Sequence, residues 1–408
     1  MKQDKNIFTS GHNIIAQLLA MVPSAIFDQT VKDTQSDKYY KRMKTKEHFI
    51  CMFYAVLTRN SSLREVCKNI ILIAQKLIPF GLLRLPAKST LSDANRNRDV
   101  AFFASLYSAL YMKYRSRLSG NWLSIGGEVD PSRVELFDST TITLFKEILK
   151  GAGRKPKKGD KKGGAKVFTK MNLAEGVPDY ICIKSAATNE NVFLKVLELP
   201  EYGIAVFDKG FNRYSYYDIW TQEKRFFVTR LKDNARYEIV EENAVDYQED
   251  IKSDLRIRLT YKEKQASRTV ELRLVTYKDP ITGTELRFLT NLMDAKASTI
   301  CLLYKNRWVI EVLFKQIKQN FELKYFLSDS ENGIKIQIWM ALILNLLFTV
   351  LHKRIKETED FSTMVMVAAK NLCSYINLEK FLKDTDGYCK KYFRTELRNV
   401  QLQLEYSG

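Results

Sequence analysis

Four polar residues late in the chain, Tyr304, Arg307, Glu311 and Lys318, recur at i, i+3, i+7 and i+14. At about 100° per residue of an α-helix the four point into one sector roughly 60° wide. Ile310, Leu313, Phe314, Ile317 and Phe321 take much of the remaining circumference, so the segment is amphipathic with an ordered polar stripe. A carboxylate flanked by a phenol, a guanidinium and an ammonium suits the joint handling of a metal ion and a phosphodiester. The acid holds the ion, while the cations and the hydroxyl grip phosphate oxygens. A solvated helix face with Glu311 paired to Lys315 accounts for one acid and one base, but not for the four-residue spacing.

The stripe resembles, position for position, the Y-(2)-R-(3)-E-(6)-K signature of insertion-sequence transposases of the insertion-sequence-4 type. These are DDE enzymes with a ribonuclease-H-like core. The resemblance implies two more carboxylates, each on or just after a strand, and two candidates fit. Asp138 ends the extended apolar run Arg133-Val-Glu-Leu-Phe-Asp138 and is followed by Ser139, Thr140 and Thr141. Asp208 follows the short buried-strand pattern Ile204-Ala-Val-Phe207 and precedes a turn at Gly210 and a helical segment to about Gln222. Acids at the carboxyl ends of adjacent strands lie where open α/β sheets place their ligands. An Asp ending a strand is also a common turn or helix-cap residue. Members of the family read D-S-T at the first position and D-R-G-Y at the second. Here the second reads Asp208-Lys209-Gly210-Phe211, which keeps charge and ring but loses the bidentate guanidinium.

Three carboxylates without Cys or His ligands suit hard cations, so Mg²⁺ is the expected cofactor, with Mn²⁺ able to substitute. Two ions about 3.5–4 Å apart would clamp the scissile phosphate, with Asp138 bridging both and Asp208 and Glu311 each completing one. The resemblance further implies cut-and-paste transposition of an insertion sequence. Terminal inverted repeats of double-stranded DNA are bound and cut at their ends, and the 3′-hydroxyl is transferred to target DNA. Tyr304, Arg307 and Lys318 would hold DNA phosphates, with Lys209 beside them. A homo-oligomer on paired DNA ends is expected. Two alternatives stay open: a DNA-binding regulator that has lost catalysis, and a ribonuclease-H-like nuclease without strand transfer.

The chain's 408 residues are 45% hydrophobic, enough for two or three domains with proper cores. Sixty-five basic against 47 acidic residues give a net charge of +18, which favours a polyanionic partner. The six cysteines form no CxxC pair and read as reduced core residues, and the three histidines lie far apart. The N-terminus is polar and lacks a secretory h-region, so a cytoplasmic, nucleoid-associated prokaryotic protein is expected. Ile336 to Leu351 is membrane-like but short and broken by Gln337 and Asn345, so it reads as a buried core helix and no membrane partner is expected.

The elements that must position the acids suggest an α/β protein with a ribonuclease-H-like catalytic core. Residues 1–120 form a helical domain, with amphipathic segments near 11–22, 44–58, 62–78 and 99–115 and Ser89–Asp93 offering N-caps. Its basic positions Lys41, Arg42, Lys44, Lys46, Arg96 and Arg98 are interleaved with Tyr39, Tyr40 and Phe49, which suits DNA binding or merely a solvated surface. Residues 121–235 read as the first part of a mixed β-β-β-α-β-α-β sheet. That part includes a loop from 151 to 164 carrying Arg154, Lys155, Lys157, Lys158, Lys161 and Lys162, expected to contact DNA backbone. Residues 236–291 form a β-rich block that resembles the β-insertion of this family, and the resemblance implies a stacking aromatic for a flipped base, with Tyr277 or Phe288 as candidates. Residues 292–360 return to the core with the Glu311 helix, and 361–408 are helical.

Overall fold

The computed structural model describes residues 11–120, 124–143, 164–194, 197–245, 250–263, 266–321, 323 and 325–406. They form two compact units, Met1–Arg117 with Gln316–Gly408, and Leu118–Lys315. The first unit opens with α1 (Ile14–Ala20), α2 (Ser24–Asp33), α3 (Thr45–Leu57), α4 (Leu63–Leu77), α5 (Lys88–Asn97) and α6 (Ala101–Leu118). Helix α5 starts directly after Pro86-Ala87, so Ser89 to Asp93 lie inside it rather than capping it.

The second unit holds β1 (Val134–Thr143), β2 (Gly164–Asn172), β3 (Pro178–Ser185), α7 (Asn191–Leu194), β4 (Ile204–Phe207), α8 (Tyr214–Gln222) and β5 (Phe226–Arg230). It continues with β6 (Tyr237–Glu242), β7 (Ile251–Glu263), β8 (Ala266–Lys278), β9 (Glu285–Thr290), α9 (Ala297–Asn306) and the start of α10 (Trp308–Asn320). The chain then returns to the helical unit for α11 (Glu331–Arg354), α12 (Phe361–Lys370), α13 (Leu378–Lys383) and α14 (Thr385–Tyr406).

The protein is mixed α/β around one nine-stranded sheet of order β3-β2-β1-β4-β5-β9-β8-β7-β6. Strand β4 lies parallel to β1 and β5, and the other pairings are antiparallel. All four residues of β4 are buried, as a central parallel strand covered on both faces requires. An aromatic layer of Phe137, Phe168, Phe193, Phe207, Phe211, Tyr217, Trp220 and Phe227 packs one face under α7 and α8. The insertion strands are not a detached block. Strand β9 pairs with β5 on one side and β8 on the other, which joins β6–β9 to the β1–β5 half without a seam. Period-2 patterning reveals strands but not their neighbours, and β6, short and mostly exposed, gave no pattern at all.

In the helical unit, α11 packs against α3, α5 and α12. Its most apolar 18-residue stretch is 89% buried inside the protein, as the core-helix reading expects. Gln337 is buried there, accepting from the Leu327 N–H and donating to the Tyr325 carbonyl. Helix α1 is tied to the far end of the chain. The N–H groups of Ile14 and Ile15 donate to the carbonyls of Ser374 and Leu372, and Gln17 bridges Ile376 and Leu378.

Candidate active site

Register sets the first two acids. Strand β1 pairs with β4 from Val134 opposite Ile204 to Phe137 opposite Phe207. The next residue on each strand is the aspartate, so Asp138 and Asp208 leave the paired segment side by side, about 4.8 Å apart between strands. Alternation sends Phe137 and Phe207 into the aromatic layer and turns both carboxylates to the opposite face. Asp208 then N-caps a 3₁₀ turn at Lys209–Phe211, which ends β4. Strand β1 does not end at Asp138, because β2 goes on pairing with it as far as Thr143 opposite Gly164.

The opposite face receives α9, which packs across β4, β5, β7, β8 and β9. Its entry is held from two sides. Glu128 accepts from the Lys296 N–H at 3.1 Å and from the Thr299 hydroxyl at 2.8 Å. Arg273 donates to the carbonyls of Leu292, Met293 and Ala295 just before the helix. The polar stripe is carried by two helices rather than one. Arg307 N–H bonds to the Tyr304 carbonyl and Ile310 N–H to the Arg307 carbonyl, both i to i−3, so α9 closes with a tight turn and α10 begins at Trp308.

That junction places Arg307 between two acids. Its Nη1 lies 3.2 Å from Asp138 Oδ2 and its Nη2 lies 2.6 Å from Glu311 Oε1, while its buried Nε has no partner. Glu311 therefore pairs one turn back with Arg307. The Tyr304 hydroxyl donates to Asp208 Oδ1 at 3.1 Å, and Arg230 Nε stands 4.0 Å from the same oxygen. Sequence reasoning passed over Arg230, which reaches the site only because β5 lies beside β4.

Burial pushes the Asp138 carboxyl up to about 6, against the pull of Arg307 and the Ser139 N–H and with help from the Glu311 and Asp208 charges. The Tyr304 phenol is pushed up to about 12, by burial first and then by Asp208, against Arg307 and Arg230. As the side chains stand, no three acidic, His or Cys groups among the described residues converge on one point able to hold an ion. The donor chemistry nevertheless fits hard divalent cations. It is all oxygen, it faces an internal guanidinium with an unpartnered nitrogen, and its central carboxylate is raised by burial and by like charges.

A fourth acid, Glu190, comes from the loop before α7. Its Oε1 accepts from the Ser139 hydroxyl at 3.1 Å and lies 3.3 Å from Lys166 Nζ. Its Oε2 fills the space over Gly210, where a Cβ would come within 2.1 Å of it. Glu190 thus touches the residue after Asp138 and the residue two after Asp208. No spacing in the sequence signals it, because a hairpin brings it there. Gly210, noted only as a turn residue, is required for this close approach.

The other expected site residues fall elsewhere. Lys209 pairs with Asp233 at 3.1 Å. Lys318 lies two turns beyond Glu311 on α10, in the portion belonging to the helical unit, and burial lowers its pKa. Phe288 is 2% exposed under the Tyr304 ring, with centroids 4.8 Å apart, so no base can stack on it, while Tyr277 is half-buried. The loop with Arg154, Lys155, Lys157, Lys158, Lys161 and Lys162 lies outside the described residues. Arg98 is fully buried and cannot meet a phosphate, and Arg96 pairs with Asp329.

Residues 130–347 match the family model described as the transposase DDE domain, and residues 10–83 match a domain of unknown function, DUF4372. Over 264 residues the chain is 29% identical to the putative transposase y4zB of Sinorhizobium fredii, covering 63% of this chain and 69% of that protein. It is 28% identical over 275 residues to the putative transposase for insertion sequence element IS4SA of Synechocystis, covering 64% and 71%. Among solved structures, the piggyBac transposase synaptic complex with hairpin DNA aligns with 98% of this chain and 87% of that one, at 13% identity and a TM-score of 0.46.

Proposed function

This chain belongs to the family of transposases with a DDE domain, and on that premise we propose that it is the transposase of an insertion sequence, with Asp138, Asp208 and Glu311 as its three acids. One observation carries the assignment of residues. The register that sets Phe137 opposite Phe207 sends both aspartates to the face where Arg307 joins Asp138 to Glu311. The order β3-β2-β1-β4-β5, antiparallel and then parallel, supports a ribonuclease-H-like core with β6–β9 inserted before the third acid. The names of the relatives support the insertion-sequence assignment.

Held by the three carboxylates, divalent ions (Mg²⁺, with Mn²⁺ substituting) would supply a polarised scissile phosphate and an activated water or 3′-hydroxyl. The chain's own side chains do the rest. Arg307 serves as internal counter-charge before DNA binds, and its planar fork is then redirected to phosphate oxygens. Tyr304 keeps its proton at neutral pH and so donates a hydrogen bond to phosphate, and no covalent protein–DNA intermediate is required of it. Lys318 and Lys209 add charge along the backbone of the bound duplex. Terminal inverted repeats are cut at their ends, and the released 3′-hydroxyl joins target DNA, with two copies acting on paired ends.

The test is Mg²⁺-dependent cleavage and joining of DNA carrying the inverted repeats that flank the coding region, with wild type beside Glu311→Gln. Cleavage and joining by wild type alone is expected. Binding without cleavage by either protein would favour a regulator, cleavage without joining a nuclease, and equal cleavage by both would remove Glu311 from the site.

A further inference from the structure

The residues matching DUF4372 include a turn, from Ser36 to Lys46, that the helical unit builds with unusual care. A single buried guanidinium, Arg98, organises it. Its Nη1 donates to the Ser36 carbonyl at 2.7 Å, to Asp37 Oδ1 at 3.3 Å and to the Thr45 hydroxyl, and its Nη2 donates to the Met43 carbonyl at 2.6 Å. The Tyr40 ring lies 4.2 Å from the guanidinium carbon. Asp37 also accepts from the Thr45 N–H at 2.6 Å, and Glu47 accepts from the Lys44 N–H at 2.8 Å. Asp37, the one acid of the segment, and Glu47 just after it are thereby taken up by donors of the protein itself.

What remains outside has one sign. Lys38, Lys41, Arg42 and Lys44 are exposed, and none forms an ion pair with a described residue. Among them Tyr39 is 88% exposed and sits at φ +68, a left-handed conformation that an aromatic residue adopts only at a cost. Lys38 Nζ stands 5.3 Å from the centre of the Tyr39 ring and donates to Gln35 Oε1 at 3.3 Å, so ring and cation are displayed together on a turn whose backbone Arg98 ties down. A row of exposed cations around an amphipathic ring matches a regular array of phosphates and sugars.

We propose that the Ser36–Lys46 turn is a docking element for the sugar–phosphate backbone of duplex DNA, with Lys38, Lys41, Arg42 and Lys44 on phosphates and Tyr39 packed against deoxyribose. The inference rests on the transposase reading only in taking DNA as the polyanion. It gives the DUF4372 segment a role separate from the acids. Arg98 is a positioning residue here and meets no DNA.

The test is fluorescence anisotropy of the full-length protein with a labelled duplex of the flanking repeat, from 50 to 200 mM salt. Each phosphate contact contributes about 0.9 to the slope of log affinity against log salt. Lys41→Ala/Arg42→Ala/Lys44→Ala should therefore lower that slope by about 2 to 3 and weaken binding at least tenfold. Tyr39→Gly should weaken binding several-fold while raising the melting temperature, because glycine relieves the left-handed strain. A structural role for Tyr39 would move both in the same direction. An unchanged slope in the triple variant, with wild type binding well, would overturn the proposal and leave the transposase reading intact. Wild type binding no DNA at all would overturn both. Equal binding of duplex RNA with the same loss in the triple variant would assign the turn to polyanions at large and overturn it also.

Discussion

The sheet unit contains two largely buried arginines bound to carboxylates, and their surroundings differ. Arg273 makes a closed fork with Asp254, Nε to Oδ1 at 2.9 Å and Nη2 to Oδ2 at 2.6 Å, and its remaining Nη1 satisfies three carbonyls. One positive charge meets one negative charge, and both side chains are under a tenth exposed. Arg307 divides itself between Asp138 and Glu311 with one bond to each and leaves Nε unpartnered. Asp208 stands beside that pair as a third carboxylate and Arg230 approaches only to 4.0 Å. The closed pair fastens the segment entering α9, whereas the open cluster carries surplus negative charge, as the proposed ion site requires. Charge balance, more than burial, separates the fastening from the site.

The comparison breaks most visibly in activity. Under the proposed assignment, Asp138→Asn or Glu311→Gln should lower DNA cleavage by about a thousandfold or more while the protein stays folded. Arg273→Ala should leave catalytic chemistry in place but cost about 3–5 kcal/mol in urea denaturation, because Asp254 would remain buried and unpaired. Arg307→Ala should cost distinctly less, since its acids are partly open to water. Equal losses for the two arginines would erase the distinction drawn between them.

The pH response sharpens it. The Asp138 carboxyl, raised to about 6, holds its proton more tightly folded than unfolded. Without an ion, stability should therefore fall as pH climbs from about 4 to about 6, and Asp138→Asn should recover roughly 1–3 kcal/mol at neutral pH. For the same reason the rise in melting temperature on adding Mg²⁺ or Mn²⁺ should be larger at pH 7.5 than at pH 5, and absent in Asp138→Asn. The smallest effect concerns Glu190. Gly210→Ala should destabilise, and Glu190→Ser should rescue part of that loss, with a coupling of about 1 kcal/mol read from a double-mutant cycle. Strict additivity would remove Glu190 from its place over Gly210.

The two aspartate strands and the acid of α10 were legible because each lies in a short local pattern: Ile204 to Phe207, Val134 to Phe137, and the apolar spacing around Glu311. The long core helix after Gly333 was legible for the same reason. What escaped was non-local. Nothing along the chain announces that β9 pairs with β5, that Arg230 arrives beside Asp208, or that Glu190 lies over Gly210. Arg98 and Phe288 were misjudged because a residue type states what it prefers, not where the fold puts it: the one is fully buried, the other is covered by Tyr304. The break at Arg307 is a single residue with helical angles, too small to disturb a 3.6-residue period.

The bonds joining α1 to residues near 372–378 also bear on how the protein is born. The partners lie about 360 residues apart, and the whole sheet unit is made between them. At about 5–20 residues per second, α3 leaves the ribosome roughly 15–60 s before α11 is complete to cover it. For that time α3, buried from Phe49 to Leu57 in the finished protein, has only early neighbours such as α2 and α4 to pack against. A nascent chain halted within α10 would carry the acids but lack the helix that packs on α3. Helix α11 and the segment near 372–378 therefore act as a seal on helices made long before them.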